Sequence, residues 1–343
     1  MTLLKEKHPH RDFFAPDIFE TLGASFKDDI ASMGYPIFTL SKKKDMRNLE
    51  YKNGYITITI KPNTDGLPTI FDKDVLLYCM SLMMTEINAG RTPQKTLRIS
   101  CRDLLITTNR RTDGDDYDRL KKSLDRLTGV VIKTNIKTNR YEQTSAFGIL
   151  ESYNVIESSK IKNRMIRLEI TVSDWLYNSV IGKEVLTINR DYFRLGKPIE
   201  RRIYEIVRKY CGKSKQWEIA LEKLISKVGS SDTLRRFRLR LKEIALHDHL
   251  PDYSIAVSND DKVIFTQKSL SDNIKPKYPI IDYNIGDDIS GKTIMQAKNM
   301  IDNAALNFND IIQQWTIHMK KHGTPNNING ALMGFIKSKI KNE

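Results

Sequence analysis

The 343-residue sequence predicts an α+β architecture in which one helix-rich module occurs twice and a small helical C-terminal tail follows. Three observations carry that prediction. The order of elements read from residue 72 to about 171 returns between 197 and 267. The apolar positions of the two halves superpose at nearly constant offsets. Beyond Pro276 and Pro279 the pattern changes to short amphipathic stretches.

Residues 1–50 read as a lead-in, with charged stretches, Pro9, Pro16 and Pro36, and the run Lys42-Lys43-Lys44. Residues 55–61 alternate β-branched with other side chains and read as a strand. Asp72 is placed to cap a helix that runs through Asn88 and stops at Gly90. Its apolar residues Val75, Leu76, Cys79, Met80, Leu82, Met83 and Ile87 fall near helical spacing. A short strand over 96–99 follows. Ser100 then caps a helix over 101–107. A loop with Gly114 and several aspartates leads into a helix over 117–128, stopped by Gly129. Strands are expected over 130–136, 147–156 and 165–171.

The order then repeats. A helix over 197–211 presents Ile199, Ile203, Ile206, Val207 and Tyr210 on one face and ends at Gly212. A short extended piece, 217–219, precedes a helix over 221–228 that stops at Gly229. Ser231 or Asp232 is placed to cap a helix reaching about 246. Strands over 253–257 and 263–267 are joined by the turn Asn259-Asp260-Asp261. Ile99, Leu104 and Leu105 align with Ile219, Leu224 and Ile225 at one offset. Leu120, Leu124 and Leu127 align with Phe237, Leu241 and Ile244 at an offset three residues smaller, which places the difference in the connecting turn. Helix, short strand, helix, turn, helix and β-ribbon is the order of a winged helix. The sequence therefore divides into a lead-in (1–50), a first winged-helix domain (51–180), a second (181–275), and a linker with a helical tail (276–343).

Composition names a class of partner. Lys and Arg number 56 against 42 Asp and Glu, a formal net charge of +14. Such an excess favours a polyanion. No apolar run approaches the roughly 18 residues a membrane span needs, and the N-terminus shows no signal-peptide core. The three cysteines are scattered and form no CxxC pair, which argues against a zinc ribbon and fits a reducing cytoplasm.

The two final helices of the modules differ as DNA readers. In the second, Leu234, Phe237, Leu241 and Ile244 form the core stripe. At about 100° per residue, Arg235, Arg236, Leu239 and Lys242 fall on the far side, with Arg238 and Arg240 on the flanks. From 232 to 246 five basic residues stand against two acidic, a net +3. Guanidinium groups suit both guanine edges and phosphates. From 113 to 128 four basic residues stand against five acidic, a net −1. Arg119, Lys122 and Arg126 remain candidates for phosphate contact there. The first copy is expected to bind DNA more weakly or to serve self-association.

Two motifs invite an enzymatic reading and do not support it. Residues 286–293 fit G-x-x-x-x-G-K-T. Asp287 and Asp288 would oppose phosphate, only the 50 residues 294–343 remain for a nucleotide domain, and no later strand ends in a metal-binding Asp. Ser290 as a helix cap explains the segment without nucleotide. His247-Asp248-His249 has the paired histidines of metal-dependent nicking enzymes, but with Asp between them and at a helix end. His318 and His322 share a helical spacing without a third ligand and read as an exposed face. No catalytic residue, metal or cofactor is expected.

Longer motifs carry a family resemblance. Met33-Gly-Tyr-Pro-Ile-Phe-Thr-Leu-Ser-Lys-Lys43 and Gly66-Leu-Pro-Thr-Ile-Phe-Asp-Lys-Asp-Val-Leu-Leu-Tyr-Cys79 resemble the replication initiator protein A family of bacterial plasmids. Asp174-Trp175, Leu195-Gly-Lys-Pro-Ile-Glu-Arg-Arg-Ile-Tyr204, Trp315 and Ala331-Leu-Met-Gly-Phe-Ile336 extend it. The resemblance implies a cytoplasmic protein that binds repeated sites, or iterons, in double-stranded plasmid origin DNA. It implies melting of nearby AT-rich DNA, recruitment of host initiator and helicase, copy control, homodimer formation and autorepression. Two alternatives stay open: a winged-helix transcriptional regulator, and an enzyme of the nickase or ATPase kind.

Overall fold

The computed structural model describes residues 4–9, 25–135, 145–157, 165–268 and 328–341, with scattered positions between 293 and 327. The chain forms two compact units, Met1–Lys275 and Pro276–Glu343.

The first unit opens with β1 (Lys27–Asp29), α1 (Ile30–Gly34), β2 (Leu49–Asn53) and β3 (Ile56–Lys61). The first copy of the repeat follows as α2 (Lys73–Asn88), β4 (Thr96–Ser100), α3 (Cys101–Thr107) and α4 (Gly114–Gly129). Strands β5 (Val131–Thr134) and β6 (Ser145–Phe147) precede the ribbon β7 (Leu150–Glu157) and β8 (Met165–Val172). A connection holds α5 (Asp174–Ile181), β9 (Val185–Thr187) and a 3-10 turn (Arg190–Arg194). The second copy is α6 (Pro198–Tyr210), β10 (Gln216–Ala220), α7 (Leu221–Val228), α8 (Leu234–His247), β11 (Tyr253–Val257) and β12 (Lys262–Gln267).

Both copies build one topology, so the architecture is mixed α and β with an internal repeat. In each, the short strand pairs with the second strand of the ribbon, giving the orders β4-β8-β7 and β10-β12-β11. Ile99 lies opposite Leu168 in the first, and Ile219 opposite Val263 in the second. The stripe residues Leu120, Leu124, Leu127, Phe237, Leu241 and Ile244 are all buried, as are Ile99, Leu104, Leu105, Ile219 and Leu224. Each such side chain contributes about 1.5–3 kcal/mol of hydrophobic stabilisation.

Four expectations are corrected. The segments joining α3 to α4 and α7 to α8 are nearly equal, 108–113 and 229–233. The three-residue difference lies instead inside the helix: α4 starts at Gly114, a turn before the residue expected, with Asp113 as its cap. Asp72 precedes α2 but makes no capping hydrogen bond. Its carboxylate accepts from Ser123 Oγ (2.6 Å) and from Arg126 Nε (2.8 Å) and Nη2 (2.7 Å). Thr233, not Ser231 or Asp232, caps α8, its Oγ1 accepting from the Arg236 N–H at 3.3 Å. The strand expected over 147–156 is two strands in different sheets, since β5 and β6 join β2 and β3 in the order β2-β3-β5-β6. Gly148 permits the crossing: a Cβ there would meet the Thr128 carbonyl at 2.7 Å and the Leu150 carbonyl at 2.8 Å.

Much of the expected lead-in is core. Phe26, Met33, Ile37 and Phe38 are buried, and β1 pairs antiparallel with β9. Beside them lies a charged network that joins the two copies. Lys73 of α2 sits 2.8 Å from Asp28 and 3.0 Å from Glu205 of α6, all fully buried. Arg202 pairs with Glu205 at 3.1 Å and donates to the carbonyls of Ser32 (2.8 Å) and Met33 (3.1 Å) in α1. Arg201 pairs with Asp74 of α2 at 2.5 Å and donates to the Leu195 carbonyl at 3.0 Å. Burial alone would lower the Lys73 ammonium. The charges of Asp28 and Glu205 outweigh it and hold its pKa above the ordinary value. Buried charges are tolerated only when compensated in this way.

The second unit has its own apolar cluster of Ala297, Ile301, Ile311, Trp315, Leu332 and Ile336. Its described helix is α9 (Ile328–Lys341). His318 is exposed, its ring beside Trp315 (6.2 Å) and Phe335 (5.3 Å). His322, Gly286, Asp287, Asp288, Ser290 and Lys292 lie outside the described residues.

Candidate nucleic-acid interface

Helix α8 has an inner face that the fold consumes and an outer face that it does not. Phe237, Leu241 and Ile244 are buried, with Leu234 and Ala245 packed against them. Arg235, Arg236, Leu239, Lys242 and Leu246 are exposed. The sequence-level division of the helix into core stripe and far side is reproduced. Leu239 is 60% exposed and Leu246 38%.

The basic residues of α8 fall into two groups by partner. Arg238 and Arg240 are held. Arg238 donates from Nε (2.9 Å) and Nη2 (2.5 Å) to the two carboxylate oxygens of Asp261, in the turn between β11 and β12. That bidentate pair fixes the ribbon against the helix. Arg240 reaches Asp232 at 2.8 Å, and Arg236 approaches the same carboxylate at 3.5 Å while staying 69% exposed. Among the described residues, neither Arg235 nor Lys242 has an ion pair. The outward stripe is therefore Arg235, Leu239 and Lys242, at i, i+4 and i+7, with Arg236 alongside.

Helix α4 of the first copy presents a different surface. Arg119 is exposed but paired with Asp116 at 3.2 Å. Lys121 and Lys122 are exposed, as are Asp115 and Asp118 of the same helix. Arg126, expected to face DNA, is turned inward. Its side chain is only 18% exposed and its guanidinium is bidentate to the buried Asp72. At Asp125 the helix is tied to β7 by the hydroxyl of Tyr153, which donates to it. Burial, with Asp125 beside it, pushes that phenol up to about 12, so it remains a donor.

The acidic residues that hold the flanks were not anticipated. Asp232 to Arg236 is an i, i+4 pair that helix spacing reveals. Asp261 is far from Arg238 in sequence, and only the fold of the ribbon brings them together. His249 is buried with Nε2 3.0 Å from Glu200 Oε1, off line for a hydrogen bond, and His247 lies at the helix end. Among the described residues no group of three His, Cys, Asp or Glu is disposed to bind a metal. No described helix is long and apolar enough to cross a membrane.

Comparison with known proteins gives the family of this internally repeated, mixed α/β chain. The family model for replication initiator protein A matches residues 27–255. A sequence of Wigglesworthia glossinidia brevipalpis described as "Putative replication protein" is 39% identical over 254 residues, spanning 74% of this chain and 91% of that one. The chain belongs to the replication initiator protein A family. In fold it is similar to the crystal structure of domains 2 and 3 of RctB, with a TM-score of 0.52 at 12% identity, over 70% of this chain and 98% of that one.

Proposed function

We propose that this protein initiates plasmid replication by binding repeated sites in double-stranded origin DNA, with α8 as the main base-reading helix. The observation that carries the reading is the outward stripe Arg235, Leu239 and Lys242, which the fold leaves without internal partners among the described residues. Both copies act as winged helices in this reading, with β7–β8 and β11–β12 as the wings. A helix with one apolar face and a basic outer face meets the requirements of the major groove. Arg238, bound to Asp261, keeps the second wing at a fixed angle to α8. Arg240 and Arg236, gathered by Asp232, lie on the flank where the phosphate backbone would pass. In the first copy Arg119 and Lys122 supply weaker backbone contacts or a self-association surface, and Arg126 serves the fold.

From membership in the initiator family follow the remaining parts of the proposal: melting of adjacent AT-rich DNA, recruitment of host initiator and helicase, copy control, autorepression, and a cytoplasmic setting. The protein carries out these steps by binding, without catalysis of its own. The burial of His249 against Glu200 supports this against a nicking enzyme. A transcriptional regulator would share the same interface. Footprinting on the DNA flanking its own gene, joined to a plasmid-maintenance assay, separates the two. Protected repeats together with loss of maintenance on deletion of the gene are expected. Protection without any effect on maintenance would favour the regulator. With roughly 6–10 phosphate contacts, affinity should fall about 10³–10⁵-fold between about 50 and 200 mM salt.

A further inference from the structure

Leu239 is the feature of α8 that neither folding nor charge accounts for. The core of the second copy is complete without it: Phe237, Leu241 and Ile244 are buried, and Leu234 packs against them. Yet a leucine stands 60% exposed at the centre of the outward face, with Arg235 at i−4, Arg236 at i−3 and Lys242 at i+3. Leu246, one heptad further, extends the apolar line at 38% exposure. An apolar side chain fixed among cations gains nothing from water. It is suited to a surface that is anionic at its borders and apolar at its centre.

Duplex DNA offers that combination in the major groove, where phosphates line the edges and the thymine C5-methyl group projects from the floor. We propose that Leu239 is a specificity-determining residue that packs on a thymine methyl, so that the preferred duplex carries a thymine at the position facing the centre of α8. The inference rests on α8 being the base-reading helix. It adds what that reading leaves open, namely an apolar component of recognition and the base it selects. A self-association patch would need an apolar surround. Here the helical neighbours are Arg235, Arg236, Lys242 and Glu243, the last already paired with Lys197 at 2.8 Å, so the surround is net cationic and a second copy of the same face would bring like charges together.

The test begins with selection of preferred sites by the full-length protein from a randomised duplex library. Each thymine of the selected site is then replaced singly by deoxyuridine, which lacks only the methyl group. At one thymine, or two adjacent ones, this should weaken wild-type binding about fourfold, the effect of exposing one buried methyl. Leu239→Ala should bind about as weakly as wild type on the deoxyuridine duplex and should be indifferent to that replacement. It should keep the melting temperature of wild type, because its side chain is already exposed. Deoxyuridine elsewhere in the site should have no effect. Wild-type binding that ignores the methyl at every thymine would overturn the inference while leaving α8 as a reader. A selection that enriches no sequence would remove the base-reading role of α8, and this inference with it. A Leu239→Ala protein that keeps the thymine preference but changes its oligomeric state would show that the patch serves self-association.

Discussion

Helices α4 and α8 occupy the same place in two copies of one topology, yet the chain uses their outer faces differently. In α8 the cations on the flanks, Arg238 and Arg240, are held by Asp261 and Asp232, and those at the centre, Arg235 and Lys242, project outward. In α4 the one cation with a strong geometric commitment, Arg126, points inward to Asp72, and the outer face mixes Lys121 and Lys122 with Asp115 and Asp118. Net charge distinguishes the two helices, but it does not say which arginines are available. A guanidinium counts towards a partner only after its internal ion pairs are known. The two copies share a buried core stripe and differ in the surface they present.

The comparison supposes that both copies belong to one body, and the largest expected effect tests that. Lys73→Ala leaves Asp28 and Glu205 buried without their shared cation. It should lower unfolding free energy by about 3–5 kcal/mol in urea titration. Since the network reaches from α2 to α6, the first unit should still unfold in one transition. Separate transitions for the two copies would contradict the link.

Next in size is the contrast between two arginines of equal chemistry. Arg126→Ala strips a buried carboxylate of its bidentate donor and should cost about 2–3 kcal/mol of stability. Arg235→Ala should leave stability unchanged within about 0.5 kcal/mol. Thermal unfolding of the two variants sharpens the division between inward and outward arginines. Equal melting temperatures would erase it.

The smallest effect concerns pH. Asp45 accepts from Arg47 Nε (2.9 Å), Arg47 Nη2 (2.8 Å) and Thr39 Oγ1 (2.8 Å), and these bonds, Arg47 first, hold its carboxyl down to about 2. A folded pKa below the unfolded one means that the stabilisation is present above the ordinary value of 3.8 and is lost as pH falls towards 2. Wild type should therefore lose more stability than Asp45→Asn between about pH 5 and pH 2. Parallel curves would show that the carboxylate contributes nothing. Asp45 lies outside both copies, so DNA binding at neutral pH should be the same in the two proteins.

The repeat itself was legible because periodicity encodes it. Leu120, Leu124 and Leu127 and their counterparts Phe237, Leu241 and Ile244 are one helix face in any correct reading, and the end signals at Ser100 and Gly229 are local. What sequence did not disclose is non-local. Arg201 and Arg202 carry every sign of exposed residues, and their burial depends on Asp74 of α2 meeting Arg201 across the two copies and on the Ser32 and Met33 carbonyls of α1 accepting from Arg202. Arg126 was assigned to DNA for the same reason: nothing near it in sequence announces Asp72 as its partner. The capping error at α8 has a comparable origin. Ser231, Asp232 and Thr233 are all good caps, and the choice of Thr233 leaves Asp232 for Arg240.

The central claim is that base preference resides in α8 and not in α4. It is tested most directly by measuring the binding of four variants, Arg235→Ala, Arg236→Ala, Arg119→Ala and Lys122→Ala, to the selected duplex and to a scrambled one at two salt concentrations. Arg235→Ala should lose about 1–3 kcal/mol on the selected duplex and little on the scrambled one. Arg236→Ala should show that pattern or a uniform weakening, according to whether its guanidinium reaches a base or a phosphate. Arg119→Ala and Lys122→Ala should weaken both duplexes alike and reduce the salt slope by about 1, or alter self-association alone. Loss of sequence preference in the two α4 variants, with preference intact in both α8 variants, would reverse the assignment.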